Sequence, residues 1–451
     1  TSLLADPTTV DGKALSASYA VKWKTGLVLT AGQVVQAPDG GIVTVTTNHT
    51  AGGSFDATKF ATAAGIAAAI QALAGKVFTP EQYGAAGDGT TDDSVAVQSC
   101  LTAAGNNTGQ STVLFTKTYR ITKNLYGFGT CDFTGPGTLK VDADMASSDG
   151  VAYWWNIGVK SKGGTASTWT GTMTVNVTAT ANAQFERCVN VHKAANFHIT
   201  RCNFDFTAMT AGALTFPGGA IAGYNNGAWC ASPSRVRGWV TKNTVVANQT
   251  SALGSEGIGF SSMSHLWVQD NYVYGFGDDP IALHNVTDFV VSGNRAYSRD
   301  GRYFFSSPRR GKIFDNYNER IANPDTTWTS GGGMMEFSIE TSTGAAPADC
   351  DVHDNTFVHG SGITSATYGI RLRGVRRFQV HHNKVHDTSG YGYAITWEGQ
   401  SVAGWTDSEG IEVDDKARVR DLDVYDNTVT GTGADGRIGE LSVFAGHAVG
   451  P

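Results

Sequence analysis

The chain has 451 residues, 56 of them glycine, with 33 basic and 40 acidic side chains and a net charge of −7. So glycine-rich and charge-poor a composition, at 41% hydrophobic residues, excludes a disordered chain or a long coiled coil and fits a turn-dense β protein. The negative balance, without a basic face, also excludes a sequence-independent grip on nucleic acid.

Residues 1–50 read as short strands. Gly26-Leu27-Val28-Leu29 and Gly41-Ile42-Val43-Thr44-Val45 flank the turn Pro38-Asp39-Gly40, which is hairpin grammar and predicts a small β head. Over 56–75 the period turns helical. Asp56 is a candidate N-cap, Gly75 a stop, and Ala63, Ile66, Ile70 and Leu73 make a 3-4-3 stripe. A helix this short needs partners, so 51–77 is expected to be a helical neck on an oligomer axis. Its apolar run, 60–75, is too short to span a bilayer, and no membrane partner is expected. No secretory signal is recognisable, and because residue 1 is Thr rather than Met a processed or engineered N-terminus is expected. Cysteines 100, 131, 188, 202, 230 and 350 lack CxxC or Cys/His ligand spacing. They are expected to be buried thiols, with no metal or cofactor.

A second helical signal covers 93–105, where Val97, Leu101 and Ala104 share a face. Beyond it the chain is short apolar strands between Gly, Asn, Asp and Thr turns, and it repeats. Asn203, Asn243, Asn271, Asn294, Asn316, Asn355, Asn383 and Asn427 each stand between two short strands, at spacings of 40, 28, 23, 22, 39, 28 and 44. Stacked coils of a parallel β-helix explain both the short spacings and, with surface loops, the long ones. In such a stack an Asn side chain is expected to bond the Asn above it, and Asn tolerates left-handed backbone. The predicted fold is all-β: a right-handed, single-stranded parallel β-helix over 78–451, preceded by the head and neck. Coil grammar stops near Asn427, which leaves room for a further C-terminal region.

The run Tyr83-Gly84-Ala85-Ala86-Gly87-Asp88-Gly89-Thr90-Thr91-Asp92-Asp93, leading into a helix, resembles the opening of pectate-lyase-superfamily β-helices. It looks most like phage tailspikes and capsule depolymerases, where the motif is structural. That resemblance implies a homotrimer carried on a virion. The head would join a phage tail or baseplate protein, and the β-helix would meet a bacterial cell-surface polysaccharide. A second resemblance is to polygalacturonases. Glu256, Asp278 and Asp279 resemble their paired carboxylate motifs one coil apart, which implies Asp279 as general acid and Glu256 and Asp278 as activators of water. The sequence departs from that pattern in having Glu first, and Arg299-Asp300-Gly301-Arg302 where Gly-His-Gly would stand.

Aligning the strands at Glu256, Asp279, Gly301, Met335, Tyr368 and Tyr393 and applying strand alternation turns His284, Arg302, Glu336, Ser338, Glu340, Arg371, Arg373 and Glu398 outward. Glu256 and Asp279 take inward parity and reach a groove only if the strand start resets it. This face also carries Met334 and Phe304, with Trp397 at a strand end. Acidic groups for acid–base work are therefore Asp279 and Glu336, then Glu256, Asp278 and Glu340; His284, Arg302, Arg371, Arg373, Trp397 and Glu398 are expected to hold sugar. Three functions stay open: an endoglycosidase depolymerising a capsule, exopolysaccharide or O-antigen; a polysaccharide lyase using Arg or His as base; and a non-catalytic glycan-binding adhesin. A salt-bridge ladder that merely stabilises the sheet would look the same.

Overall fold

The structure, a computed structural model, describes residues 76–144, 153–158, 160, 168–192, 194–209, 214–224, 234–247, 256–277, 279–298, 302–321, 333–339, 346–360, 367–387, 392–401, 416–417, 419–431 and 438–440, with short stretches between 21 and 61. The chain divides into two compact units, Thr1–Val77 and Phe78–Pro451.

In the first unit Val34–Gln36 pairs antiparallel with Ile42–Val45. The hairpin around Pro38-Asp39-Gly40 thus takes 34–36 as its first strand. The expected partner region supplies Val28–Leu29, which pairs with His49–Thr50 instead. Phe60–Ala61 runs antiparallel to Thr44–Val45, so this piece of the expected neck is strand. The 3-4-3 stripe itself, Ala63 to Leu73, lies outside the described residues.

The second unit is a parallel β-helix. Its motif 83–93 is internally hydrogen-bonded: the Asp88 carboxylate accepts the Thr90 and Thr91 N–H groups at 2.8 and 2.7 Å, and Asp93 accepts those of Ala86 and Gly87 at 2.7 and 3.1 Å. Helix Ser94–Asn106 follows, burying Val97, Cys100, Leu101 and Ala104. Strands then stack in three columns. One runs from Ala194–Thr200 through Met263–Gln269 and Thr287–Ser292 to Arg420–Tyr425; a second from Asn203–Phe206 through Tyr272–Tyr274 to Thr428–Gly431. The third is a sheet of 11 strands among the described residues, from Leu125–Gly127 to Ile438–Glu440. Inward residues stack coil upon coil, as in Ile258, Ile281, Tyr303, Met335, Ile370 and Ile395, all fully buried. Each large apolar side chain so buried contributes about 1.5–3 kcal/mol.

The corner between the first two columns is the Asn ladder. Asn243 N–H and Nδ2 both donate to Asn271 Oδ1, at 3.0 and 2.9 Å, and the pattern repeats through Asn294, Asn316, Asn355, Asn383 and Asn427. Two details differ from expectation. The left-handed residue is the one before each Asn, such as Lys242, Asp270, Asp315 and Asp354, because the Asn side chain must point inward to its stack. The first rung is Cys202, whose N–H donates to Asn243 Oδ1 at 3.0 Å, while Asn203 begins the next strand. Cys100, Cys131, Cys188, Cys202 and Cys350 are free and buried; Cys230 lies outside the described residues. A second left-handed column crosses the first-column strands at His265, Asp288, Arg310, Asp349, Arg377 and Asp421. There Arg310 clasps Asp288 at 2.7 and 2.8 Å, and Arg377 clasps Asp349 at 2.5 and 3.0 Å.

Candidate active site

The third column carries the candidate residues on its outward face, where register fixes their neighbours. Gly259, Ala282, Phe304, Glu336, Arg371 and Thr396 stack in one row. Ser261, His284, Ser306 and Ser338 form the next, and Arg373 pairs with Glu398 at the same parity. The strand Gly333–Ser338 is offset by two residues from the sequence alignment: Gly333, not Met335, faces Tyr368. An even offset preserves parity, so Glu336 still points outward, but between Phe304 and Arg371 rather than level with Arg302.

Glu256 and Asp279 start their strands at inward parity, yet both carboxylates reach the outward side. A Cβ on Gly259 would overlap Glu256 Oε2, so the Glu256 carboxylate lies over that glycine; His284 Nε2 is 3.7 Å from its Oε1. Asp279 is clasped by Arg302, with Nε to Oδ1 at 2.6 Å and Nη2 to Oδ2 at 3.2 Å. The same guanidinium reaches Glu336 Oε2 through Nη1 at 3.7 Å, and Arg373 Nη1 stands 3.5 Å from Glu336 Oε1. Arg371 donates to Glu398 Oε1 from Nε at 2.9 Å and Nη2 at 2.5 Å. Arg373 Nε lies 3.1 Å from that oxygen without hydrogen-bond alignment. Rings brace the cations: Arg302 sits 4.4 Å over Phe304, whose ring also meets His284 edge-on at 5.3 Å, and Arg371 sits 5.0 Å over Tyr368.

The result is a continuous row, Asp279–Arg302–Glu336–Arg373–Glu398–Arg371, beside a Glu256–His284 couple. Asp279 and Glu336 are 3% exposed and Glu256 6%; the arginine side chains above them keep 20–31%. Carboxylates so deeply buried are tolerable only when paired, and the guanidinium of Arg302 pairs Asp279 at both oxygens.

The remaining candidates fare differently. Trp397 faces inward, level with Leu372, and packs partly buried against the core, so it offers no ring to a substrate. Strand parity puts it there, which its place at a strand end had hidden. Asp278 and Glu340 lie outside the described residues. Tyr368, which sequence reasoning did not single out, shares the strand-start position of Glu256 and Asp279. Among the described residues no three His, Cys, Asp or Glu side chains converge as a metal would require.

Residues 79–301 match the family described as rhamnogalacturonase A/epimerase, pectate lyase-like. The body is a parallel β-helix, and this stretch of it is similar to that pectate-lyase-like family. The match takes in Glu256 and Asp279 and stops before Glu336, Arg371, Arg373 and Glu398. No curated protein sequence matches the chain significantly. Similar solved structures include the A-module of the Azotobacter vinelandii mannuronan C-5 epimerase AlgE6 (15% identity, TM-score 0.38, covering 79% of this chain and 87% of that one). Others are the Streptococcus pneumoniae surface adhesin PfbA (12%, 0.45, 81% and 100%) and DFA-IIIase from Arthrobacter chlorophenolicus A6 (10%, 0.48, 76% and 97%). At these identities they say nothing of what this chain acts on.

Proposed function

We propose that the protein hydrolyses a glycosidic bond in a bacterial surface polysaccharide, with Asp279 and Glu336 as the working pair. The observation that carries this reading is that two almost buried carboxylates, two coils apart, flank one guanidinium on the outward sheet face. Their roles follow from how tightly each is held. Asp279, clasped at both oxygens by Arg302, suits activation of water or stabilisation of developing positive charge. Glu336, held by longer contacts of 3.5 and 3.7 Å, is the group we assign to deliver a proton to the leaving oxygen. This reverses the assignment that the polygalacturonase resemblance implies for Asp279.

Asp279→Asn and Glu336→Gln keep side-chain shape and delete the titrating group. Each is expected to lower release of reducing ends from a panel of capsules and lipopolysaccharides by roughly 10²–10⁴-fold. Wild-type rates in both would end the assignment; ultraviolet-absorbing unsaturated ends would mean a lyase instead. The lyase reading is the weaker, because every arginine of the row is already engaged by a carboxylate. A non-catalytic glycan binder is favoured by one observation, the near-complete pairing and burial of the row; retention of these glycans without cleavage is its signature.

A homotrimeric tailspike, attached to a phage tail or baseplate through its N-terminal unit, is the setting we assign to this activity. It is supported by the Gly-Asp-Gly-Thr-Thr-Asp-Asp motif and by the order of β head, apolar stripe and β-helix in the sequence. Light scattering should give three times the chain mass at micromolar concentration, and a monomer mass would overturn it.

A further inference from the structure

We propose that the groove selects a neutral glycan and disfavours uronate-bearing chains, an inference that rests on the carbohydrate-active reading above. Among the described residues, the outward face from Glu256 to Glu398 brings together four carboxylates (Glu256, Asp279, Glu336, Glu398) and three guanidiniums (Arg302, Arg371, Arg373), with His284. Protonating His284 brings the sum only to zero. The connectors that lead into these strands add, in sequence, Arg299 and Arg437 against Asp278, Asp300, Asp325 and Asp435. Among the described residues of this face, no surplus of positive charge awaits an anionic sugar.

Each guanidinium is also committed. Arg302 spans Asp279 and Glu336, Arg373 spans Glu336 and Glu398, and Arg371 is bound to Glu398. To grip a uronate carboxylate, one of them would have to leave a partner, and for Arg302 or Arg373 that partner includes a carboxylate 3% exposed. The stranded charge would cost more than the new contact returns. If no arginine moved, the uronate would face a net negative row. Neutral sugars meet neither obstacle. The part-exposed guanidiniums and the Glu398 carboxylate offer sugar hydroxyls, themselves donors and acceptors, charged partners without breaking an ion pair.

The test is affinity electrophoresis of the full chain at low salt through gels containing neutral polymers (dextran, levan, galactomannan) or uronate polymers (polygalacturonate, alginate, hyaluronan). Retardation by at least one neutral polymer and by none of the uronates is the expected result. Retardation by a uronate polymer overturns neutral selection while leaving the carbohydrate reading intact; no retardation in any gel overturns both. Glu398→Gln supplies a gain-of-function arm. By freeing Arg371, while Arg373 keeps Glu336, it should introduce retardation by alginate that is lost on raising the salt, and a folded variant that still ignores alginate counts against the charge-commitment mechanism. Should that variant not fold, the wild-type gels decide by themselves.

Discussion

Replacing Asn294 with Ala probes the ladder at a fully buried rung. Its Oδ1 accepts the N–H and Nδ2 of Asn271 at 3.0 and 2.9 Å, and its Nδ2 donates to Asn316 Oδ1 and to the Val268 carbonyl, both at 2.9 Å. Truncation removes all four bonds. Asn271 Nδ2 keeps the Val240 carbonyl at 2.8 Å and Asn316 Oδ1 keeps the residue-294 N–H at 3.2 Å, but the Asn271 N–H is left with no acceptor. A buried donor so stripped costs about 1–3 kcal/mol, and partial losses at the other atoms bring the expectation to about 2–4 kcal/mol. Native-state hydrogen exchange reads this locally. At 1.4 kcal/mol per tenfold, the Asn271 amide should exchange about 30- to 700-fold faster. Asn427→Ala is the control, because that last rung is only half-buried and water can replace the missing partner. Exchange at Asn271 within threefold of wild type, or a loss no larger than in the Asn427 variant, would refute the view that the ladder is held by closed hydrogen-bond pairs.

Two glycines should behave oppositely. A Cβ on Gly311 would strike the Phe289 ring inside the core, whereas one on Gly259 meets only the movable end of Glu256; Gly311→Ala should cost several kcal/mol of stability, and Gly259→Ala should spare the melting temperature while impairing any activity that uses Glu256. Burial pushes the thiols of Cys100, Cys131, Cys202 and Cys350 up to about 12, so residue-resolved alkylation at about pH 8 should label them in urea and leave them unmodified in the native protein. Arg377 holds the Asp349 carboxyl below its ordinary value. A depressed folded-state value stabilises at neutral pH and fades as pH falls through it, so Asp349→Asn should melt slightly below wild type at neutral pH, by less than about 1 kcal/mol for so exposed a pair, and match it in acid; a gap that survives at about pH 2 would point to shape rather than charge.

How much of this was legible in the sequence follows from which signals are periodic. The Asn repeat announced the coil because an Asn side chain that accepts from one coil and donates to the next recurs at the same corner. Outward parity for His284, Arg302, Glu336, Arg371, Arg373 and Glu398 also came through, since a two-residue slip at Gly333–Ser338 leaves parity unchanged. The slip itself was invisible, because both flanking connectors there are long and nothing local fixes register. Cys202 escaped notice because its backbone N–H alone makes the rung bond. Trp397 was misplaced because an aromatic at a strand end looks alike on either face. The clasped column at Asp288, Arg310, Asp349 and Arg377 has no sequence signature: its members lie 22, 39 and 28 positions apart and meet only through a left-handed bulge.

The ladder also bears on how such a protein changes over evolutionary time. Successive rungs bond identically whether 22, 28 or 44 residues separate them, so the frame is indifferent to how much chain leaves and returns between rungs. In the coil of Ile281–His284 the chain passes almost directly to Thr287–Ser292, whereas around Gly333–Ser338 it spends residues 321–332 and 339–347. Both excursions flank the strand that carries Glu336. Insertions at these two joints can therefore be taken up one coil at a time while the scaffold that carries the carboxylate row stays unaltered.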